Sequence, residues 1–387
     1  MTAIKKIQFN CDHIFRLTDD TGIFQHAKYG VPDPTKGYTT DDNARALIAA
    51  AALYGRFRDK KYLELTYRYL SFILNAQNPK GKFKNFMNYN REFIEEEGSE
   101  DCFGRCLWAL GYALSRNSVP QDIKKTCRYI IGKALPNVNH LNFPRAKAYS
   151  ILGMGYMASQ PHRKFCVKCC GSVFHKYSFF CSDNSRIQDI YSCINKLSEE
   201  LVERYEQFCT DDWHWFEDII TYSNAVLPWS LLVAYKILKS KKYLEIALES
   251  LNFLEKITFA NGYFKPVGCK GWMSRGKEPA AFDEQPLEAC ETTLMYLQAY
   301  EILKEKKYLE KARECFEWYH GKNSKNIKLI DRQSGGCYDG ITDNGVNLNQ
   351  GAESIISYCI AHMALLDYIP FIKRKVLRKG QHEEELK

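Results

Sequence analysis

No stretch of this chain approaches the roughly 18 uninterrupted apolar residues that a membrane-spanning helix needs. Its first residues, MTAIKKIQFNCDHIF, lack the apolar core of a signal peptide. No membrane span is expected, and a cytoplasmic location is. Also missing is a glycine-rich turn set between a strand and a helix to hold a nucleotide phosphate, so a nucleotide-sugar transferase is not expected. Strand signals are few and local. GKFKNFMNYN (81–90), NGYFKPVG (261–268) and GGCYDGIT (335–342) read as short hairpins or turns between helices. The net charge of +8 is scattered through lysine pairs and the tail FIKRKVLRKGQHEEELK (371–387). With no basic stripe interleaved with aromatics, nucleic acid is not an expected partner.

What is present is enough for a large core: 387 residues, 45% of them hydrophobic. The fifteen cysteines are odd in number, scattered, and often embedded in apolar helical runs, as at Cys127, Cys290, Cys315 and Cys359. They read as reduced, buried small hydrophobes. One segment differs. SQPHRKFCVKCCGSVFHKYSFFCSDNS carries His162, Cys166, Cys169, Cys170, His175 and Cys181. A CxxC with nearby histidines can bind zinc, but a structural zinc site usually shows a second ligand pair at firmer spacing. The segment is read as surface with reduced thiols, and neither metal nor cofactor is expected.

The chain repeats itself. KKYLE occurs at Lys60, Lys241 and Lys306, each time after a helical pattern and a short polar link. Each copy opens a helix with one apolar stripe, as in Tyr243, Leu244, Ala247, Leu251 and Leu254. The partners are apolar nearly all round: ARALIAAAALY, CLWALGYAL, AKAYSILGMGYM, PWSLLVAYKIL, EACETTLMYLQAYEIL and SIISYCIAHMALLDY. Six buried helices alternating with amphipathic ones predict an all-α fold of six helical hairpins, either an open solenoid or a closed (α/α)6 toroid. Closure is favoured, because an open array would leave one face of each inner helix wet. The expected organisation is a single toroid domain over residues 1–370 followed by the charged tail 371–387.

If the inner helices run parallel, the segments before them meet at one mouth. Those segments are rich in acids, amides, arginines and aromatics. TTDDNAR supplies Asp41, Asp42 and Arg45, and GSEDCFGR supplies Glu100, Asp101 and Arg105. LNFPRAK brings Arg145. WHWFEDIITYSNAVLP brings Trp215, Glu217, Asp218, Tyr222 and Asn224. AAFDEQPLEA brings Asp283, Glu284 and Gln285, LNQGAES brings Gln350 and Glu353, and Trp272 stands in a nearby loop. Pro144, Pro228 and Pro286 suit the first position of a helix. Any one of these acids can be explained as a helix cap. Together with amides and flat aromatic faces they are the parts of a carbohydrate cleft.

Several phrases carry a resemblance: RLTDDTGIFQHAKYGVPDPTKGYTTDDNARALI (16–48), NFPRAKAYSILG (142–153), WFEDIITYSNAVLP (215–228), FDEQPLEA (282–289) and NQGAES (349–354). In order, over roughly residues 12–368, they resemble the six-hairpin glycosidase-like domain that often occurs fused behind a glycosyltransferase and sometimes alone. The resemblance implies an (α/α)6 toroid and a carbohydrate context, without naming a reaction.

The expected function is thus a glycoside hydrolase acting on an oligosaccharide or glycoconjugate, with inversion favoured by analogy. Inversion needs two carboxyl groups roughly 6.5–9.5 Å apart. The candidate catalytic acids are Asp42, Asp101, Asp218 and Glu284. Asp42 and Asp101 should be kept ionised by the arginines one turn on, while Asp218 and Glu284, beside Trp215, Phe216 and Phe282, should have raised pKa values. Of the adjacent pair, Asp41 is expected to cap or to pair with Arg45, and Asp42 to face a substrate. Three alternatives stay open: a non-catalytic carbohydrate-binding or scaffolding toroid; a sugar epimerase or isomerase, which would want a histidine pair where only His26, His140 and His214 come near the mouth; and a zinc-dependent cyclase, if the cysteine segment bound metal.

Overall fold

The computed structural model describes residues 9–159 and 187–368. The cysteine and histidine segment and the C-terminal tail lie outside these residues. Among the described residues the helices are α1 (Asp12–Leu17), α2 (Thr40–Phe57), α3 (Lys60–Ala76), α4 (Glu100–Ser115), α5 (Gln121–Ala134), α6 (Pro144–Ala158), α7 (Ile187–Phe208), α8 (Val226–Leu238), α9 (Lys241–Thr258), α10 (Pro286–Leu303), α11 (Lys306–Glu317) and α12 (Ala352–Leu366). The even-numbered helices form an inner ring. Each packs on the next, and α12 packs on α2, which closes the ring. Helices α3, α5, α7, α9 and α11 lie outside it, and the short α1 sits beside α12. The molecule is an (α/α)6 toroid, and the open solenoid does not occur.

The repeated KKYLE phrase marks a repeated turn. Arg58, Lys239 and Lys304 each end an inner helix in the left-handed region, at φ 58°, 61° and 59°. After one further residue the outer helix begins at Lys60, Lys241 or Lys306. A single left-handed residue reverses the chain in two residues, and the amphipathic helix then lays its apolar stripe on the ring. Pro144 and Pro286 do open their helices, whereas α8 starts two residues before Pro228. Proline is tolerated there because no N–H in the first turn has an intrahelical acceptor. Helices α4 and α6 come closest. A Cβ on Gly111 would lie 2.2 Å from the Gly153 carbonyl oxygen, and one on Gly153 2.3 Å from that of Leu107.

The strands are two-stranded antiparallel ribbons, and all lie in the loops that precede inner helices. Strand β3 (Tyr38–Thr39) pairs with β4 (Phe86–Met87), β5 (Ile219–Ile220) with β6 (Met273–Ser274), and β7 (Gly340–Thr342) with β8 (Gly345–Asn347); β1 (Ala27–Lys28) pairs with β2 (Val31–Pro32). Of the three segments expected as short hairpins or turns, GGCYDGIT contributes strand β7 to a local hairpin and NGYFKPVG opens on a turn. Residues 81–90 pair instead with the entry to α2, and 261–268 hold no strand. The outer-to-inner loops are long and carry these ribbons, while the two-residue links lie at the opposite end of the ring. The described cysteines are free and most are buried, as expected. No described helix is long and apolar enough to cross a membrane.

Candidate active site

Along each inner helix the residues that face the ring axis recur every three or four positions. On α2 they are Asp41, Arg45, Ile48, Ala52 and Arg56; on α4, Asp101, Arg105, Trp108, Tyr112 and Ser115; on α10, Glu288, Glu291, Leu294, Gln298 and Glu301. Five of the six inner helices are charged in the first turn, the exception being α8, and so they bring an ionic network to the N-terminal mouth.

The charged groups pair across neighbouring helices. Arg105 bonds Asp41 at 3.1 Å, stands 4.0 Å from Asp101, and lies 4.9 Å over the ring of Tyr149. The Tyr222 hydroxyl donates to Asp101 Oδ2 at 2.7 Å. Arg45 joins Asp42 at 2.9 Å to Glu353 at 2.8 Å. Arg145 bonds Glu217 at 2.6 Å and lies 4.8 Å over the Tyr222 ring. The Tyr149 hydroxyl donates to Glu291 Oε1 and lies 2.9 Å from Ser223 Oγ. Glu288 accepts from the Ser223 N–H and, at 3.1 Å, from the Asn224 side-chain amide.

Two adjacent acids take partners other than those expected for them. Helix α2 begins at Thr40 with Thr39 as its cap, so Asp42 falls three positions after the cap, where a capping box places its acid. The Asp42 N–H donates to Thr39 Oγ1 at 3.1 Å, and the threonine hydroxyl donates back to Asp42 Oδ2 at 2.6 Å. Asp42 is also the partner of Arg45. Burial raises its pKa despite that arginine, the reverse of the expected ionising effect. Asp41, about 100° around the helix, reaches Arg105 on α4 rather than Arg45, and its Oδ1 has no hydrogen-bond partner.

The remaining candidates are placed as follows. Asp218 is not desolvated: its side chain is 68% exposed and pairs with Arg275 at 3.0 Å. Trp215 is wholly buried against Phe216 and Phe253, so it offers no face to a sugar. Glu284 is buried, and burial raises its pKa as expected. It accepts from Trp318 Nε1 at 2.7 Å at the end of α11, in the outer layer rather than the network. Glu100 is consumed by the N–H groups of Asn142 and Phe143, at 2.7 and 2.9 Å. Gln350 is nearly buried: its carbonyl pairs with His13 Nε2 at 2.8 Å and its amide donates to Asp331 at 3.1 Å. Gln285 caps α10 only through its backbone, and Asp283 pairs with Lys270 at 3.3 Å. Trp272 sits half-buried on the β6 loop.

The structure thus brings together Asp41, Asp42, Arg45, Asp101, Arg105, Arg145, Glu217, Tyr222, Asn224 and Glu353. It adds Tyr149, Ser223, Glu288 and Glu291, which the reading of the mouth segments missed. A signal existed: in PLEACETTLMYL two acids three residues apart lie in a helix apolar all round, and such acids can only face another buried polar group. No described histidine joins the network. His214 lies beside Tyr205 and Cys209, and His140 is exposed. His320 and His362, both pushed down to about 4 by burial, pack on Phe316 and Tyr358. No group of three or more His, Cys, Asp or Glu among the described residues could hold a metal.

Glu291 is electrostatically distinctive. Burial, then the neighbouring Glu288, pushes its pKa up to about 8 against the opposing Tyr149, Arg105 and Arg45. Oε1 accepts from Tyr149, whereas Oε2 has no partner.

No family model matches the sequence, and no curated protein matches it either. Solved structures do. A sugar epimerase from a ruminal bacterium superposes with TM-score 0.67 at 12% identity, covering 92% of this chain and 96% of that one. The cellobiose 2-epimerase from Bacillus thermoamylovorans gives 0.65 at 12%, over 94% and 95%. The GH76 α-mannanase from Bacteroides thetaiotaomicron gives 0.56 at 12%, over 87% and 88%. At such identities the likeness is one of fold, and this chain has the six-hairpin glycosidase-like (α/α)6 toroid fold.

Proposed function

We propose that the N-terminal mouth binds an oligosaccharide or the glycan of a glycoconjugate, and that the protein is a carbohydrate-active enzyme, specifically a glycoside hydrolase. One observation carries the reading. Asp41 Oδ1, Arg105 Nε, Arg145 Nη2 and Glu291 Oε2 are buried at or near the axis with no hydrogen-bond partner. Buried polar atoms nearly always find partners, so unsatisfied donors and acceptors gathered in one place suit a ligand dense in hydroxyls. The epimerases, mannanase and cellulase that share the fold make a sugar the natural candidate.

In this reading Glu291 is the general acid. A carboxyl neutral up to about pH 8, with Oε2 unpartnered, can protonate a leaving glycosidic oxygen at neutral pH. Asp101, oriented by Tyr222 and Arg105, is the carboxylate placed to take a proton from water. Glu291 is fully buried. A sugar reaches it only if its hydroxyls take over from the Asp41–Arg105 and Tyr222–Asp101 contacts one turn nearer the rim. The second reading, a sugar epimerase or isomerase, is favoured by the higher overlap with epimerases than with the mannanase. Against it stands the lack of any described imidazole in the network.

The test is product analysis on manno- and cello-oligosaccharides by anomer-resolved NMR. New reducing ends that vanish in Glu291→Gln are expected. Epimers without new ends would transfer the site to the second reading. Binding without product would make it a lectin-like toroid, and no binding by calorimetry would overturn a carbohydrate role at this mouth.

A further inference from the structure

The opposite end of the ring holds a second concavity, of about 670 Å³, between the C-terminal halves of all six inner helices. That volume lies within the roughly 300–1,000 Å³ of small-molecule sites. Its wall runs from Ile48 to Arg56 on α2, eight steps of the helix or about 12 Å. Trp108 and Trp229 form its floor, packed edge to face at 5.6 Å. Trp108 also stacks on Tyr149 at 5.7 Å. Through that stack the floor touches the charged network, whose acids and arginines are not among the residues that line the cavity.

The lining decides what fits. Six aliphatic side chains, Ile48, Leu152, Val233, Leu294, Leu297 and Ile360, share the wall with the polar groups of Tyr112, Tyr156, Ser159 and Gln298. Its aromatic faces are also already engaged: Tyr149 covers one side of Trp108, while Tyr112 carries Arg116 at 5.2 Å and meets Tyr156 edge-on at 5.3 Å. A saccharide would find few uncommitted hydrogen-bonding groups, since Gln298 already donates to Glu301 at 2.9 Å and Ser159 to the Gly155 carbonyl at 2.8 Å, and its rings would meet aromatic faces that are partly covered. An aliphatic body would find both depth and burial, at about 25 cal/mol per Å² removed from water.

The rim sets the other end of the ligand. Lys236 pairs with Glu301 at 2.7 Å and Arg56 with Asp367 at 3.7 Å. Arg116, the third cation lining the cavity, has no carboxylate within ion-pair distance among the described residues; its recorded side-chain neighbour is the Tyr112 ring. A guanidinium at the lip of an apolar shaft is the natural seat for an anionic oxygen. Trp108 Nε1 is moreover a buried donor without an acceptor in that floor.

We propose that the C-terminal mouth is a ligand site for an amphiphilic anion, with an aliphatic body in the shaft and a carboxylate or phosphate head on Arg116. The proposal does not depend on what the other mouth does. It is tested on the full chain with decanoate, decanol and a manno-oligosaccharide, followed by calorimetry and tryptophan fluorescence. Decanoate should bind and perturb the fluorescence of Trp108 and Trp229. Arg116→Ala should weaken decanoate roughly tenfold, the order of one charge-assisted hydrogen bond, and leave decanol unchanged. Ala52→Phe and, as a second filling variant, Ala364→Phe should abolish binding of both while the circular dichroism stays that of the parent. Three outcomes would overturn the proposal: no decanoate binding, equal binding by a filled but folded variant, or an oligosaccharide that competes with decanoate for this shaft. Equal loss of decanoate and decanol in Arg116→Ala would remove the head-group assignment.

Discussion

The two mouths of the ring are built from the same six helices, yet they differ in almost every physical respect. At the N-terminal mouth the chain enters through long loops with short ribbons, and the first axis-facing turns carry Asp41, Arg45, Asp101, Arg105, Arg145, Glu288 and Glu353. At the C-terminal mouth three of the links are two-residue reversals, the axis-facing residues are mostly aliphatic and aromatic, and charge is confined to the lip. Tyr149, Trp108 and Trp229 divide the two. Part of the asymmetry follows from helix polarity, since free N–H groups favour acids at one end. The rest does not. Arginines at helix beginnings run against the macrodipole, and a carboxyl held neutral to about pH 8 is unfavourable for folding at neutral pH. Groups held against stability in this way are what the proposed site calls for.

The strongest way to break this contrast is Glu291→Gln. Turnover on a responsive sugar should fall by about 10²–10⁴-fold, the range of a general acid, while a melting curve at pH 8 shows the variant at least as stable as the parent. Loss of both activity and fold would mean that Glu291 is structural. The pH dependence sharpens the point. The folded-state pKa, about 8, lies above the ordinary 4.5, so the native state binds more protons than the unfolded chain between those values. This group's effect on stability is therefore unfavourable as pH rises from about 4.5 to 8. Urea unfolding across that window should show a decline that Glu291→Gln removes, and activity should fall as pH rises through about 8.

Next in size is the partition itself. Trp108→Ala should cost about 3–5 kcal/mol, as large-to-small core changes do, measured by denaturant unfolding. An unchanged midpoint would mean that the stack with Tyr149 and Trp229 carries no weight. A smaller effect separates the paired acids. Asp42→Asn should lower stability by about 0.5–2 kcal/mol with sugar affinity intact, whereas Asp41→Asn should weaken sugar binding, since Asp41 presents the unsatisfied oxygen. Calorimetry beside thermal melts checks both, and a reversal would restore Asp42 as the substrate-facing residue. Smallest is Asp218→Asn. An exposed acid paired with a single arginine should change stability by no more than about 0.5 kcal/mol and leave turnover unaltered.

Much of this was legible in the order of residues. Apolar periodicity separated inner from outer helices, and KKYLE marked three turns that later proved alike in backbone angle. The acids before the inner helices announced a charged mouth. These are local properties, in which a residue's neighbours within one turn decide its state. The choice between Asp41 and Asp42 was nearly as local, but it depended on which residue capped α2. Shifting that start by one residue exchanges the two faces.

The sequence by itself determined the helix count, the two helix classes, the likelihood of closure and the end at which acids collect, because periodicity and capping act within a few residues. Only the tertiary structure decided which acids share a dielectric. The pKa of Glu291 is raised because the ring buries it beside Glu288 of its own helix, against the opposing Tyr149, Arg105 and Arg45 from three other helices, and Asp218 is not desolvated because its side chain stays exposed. Burial is a property of what packs around a group, and for a ring closed by its last helix on its first inner one that cannot be summed along the chain. The same holds for the cavity beyond Trp108: its wall residues are ordinary core apolars in every helix, and it exists because six helix ends diverge around an axis that no segment contains.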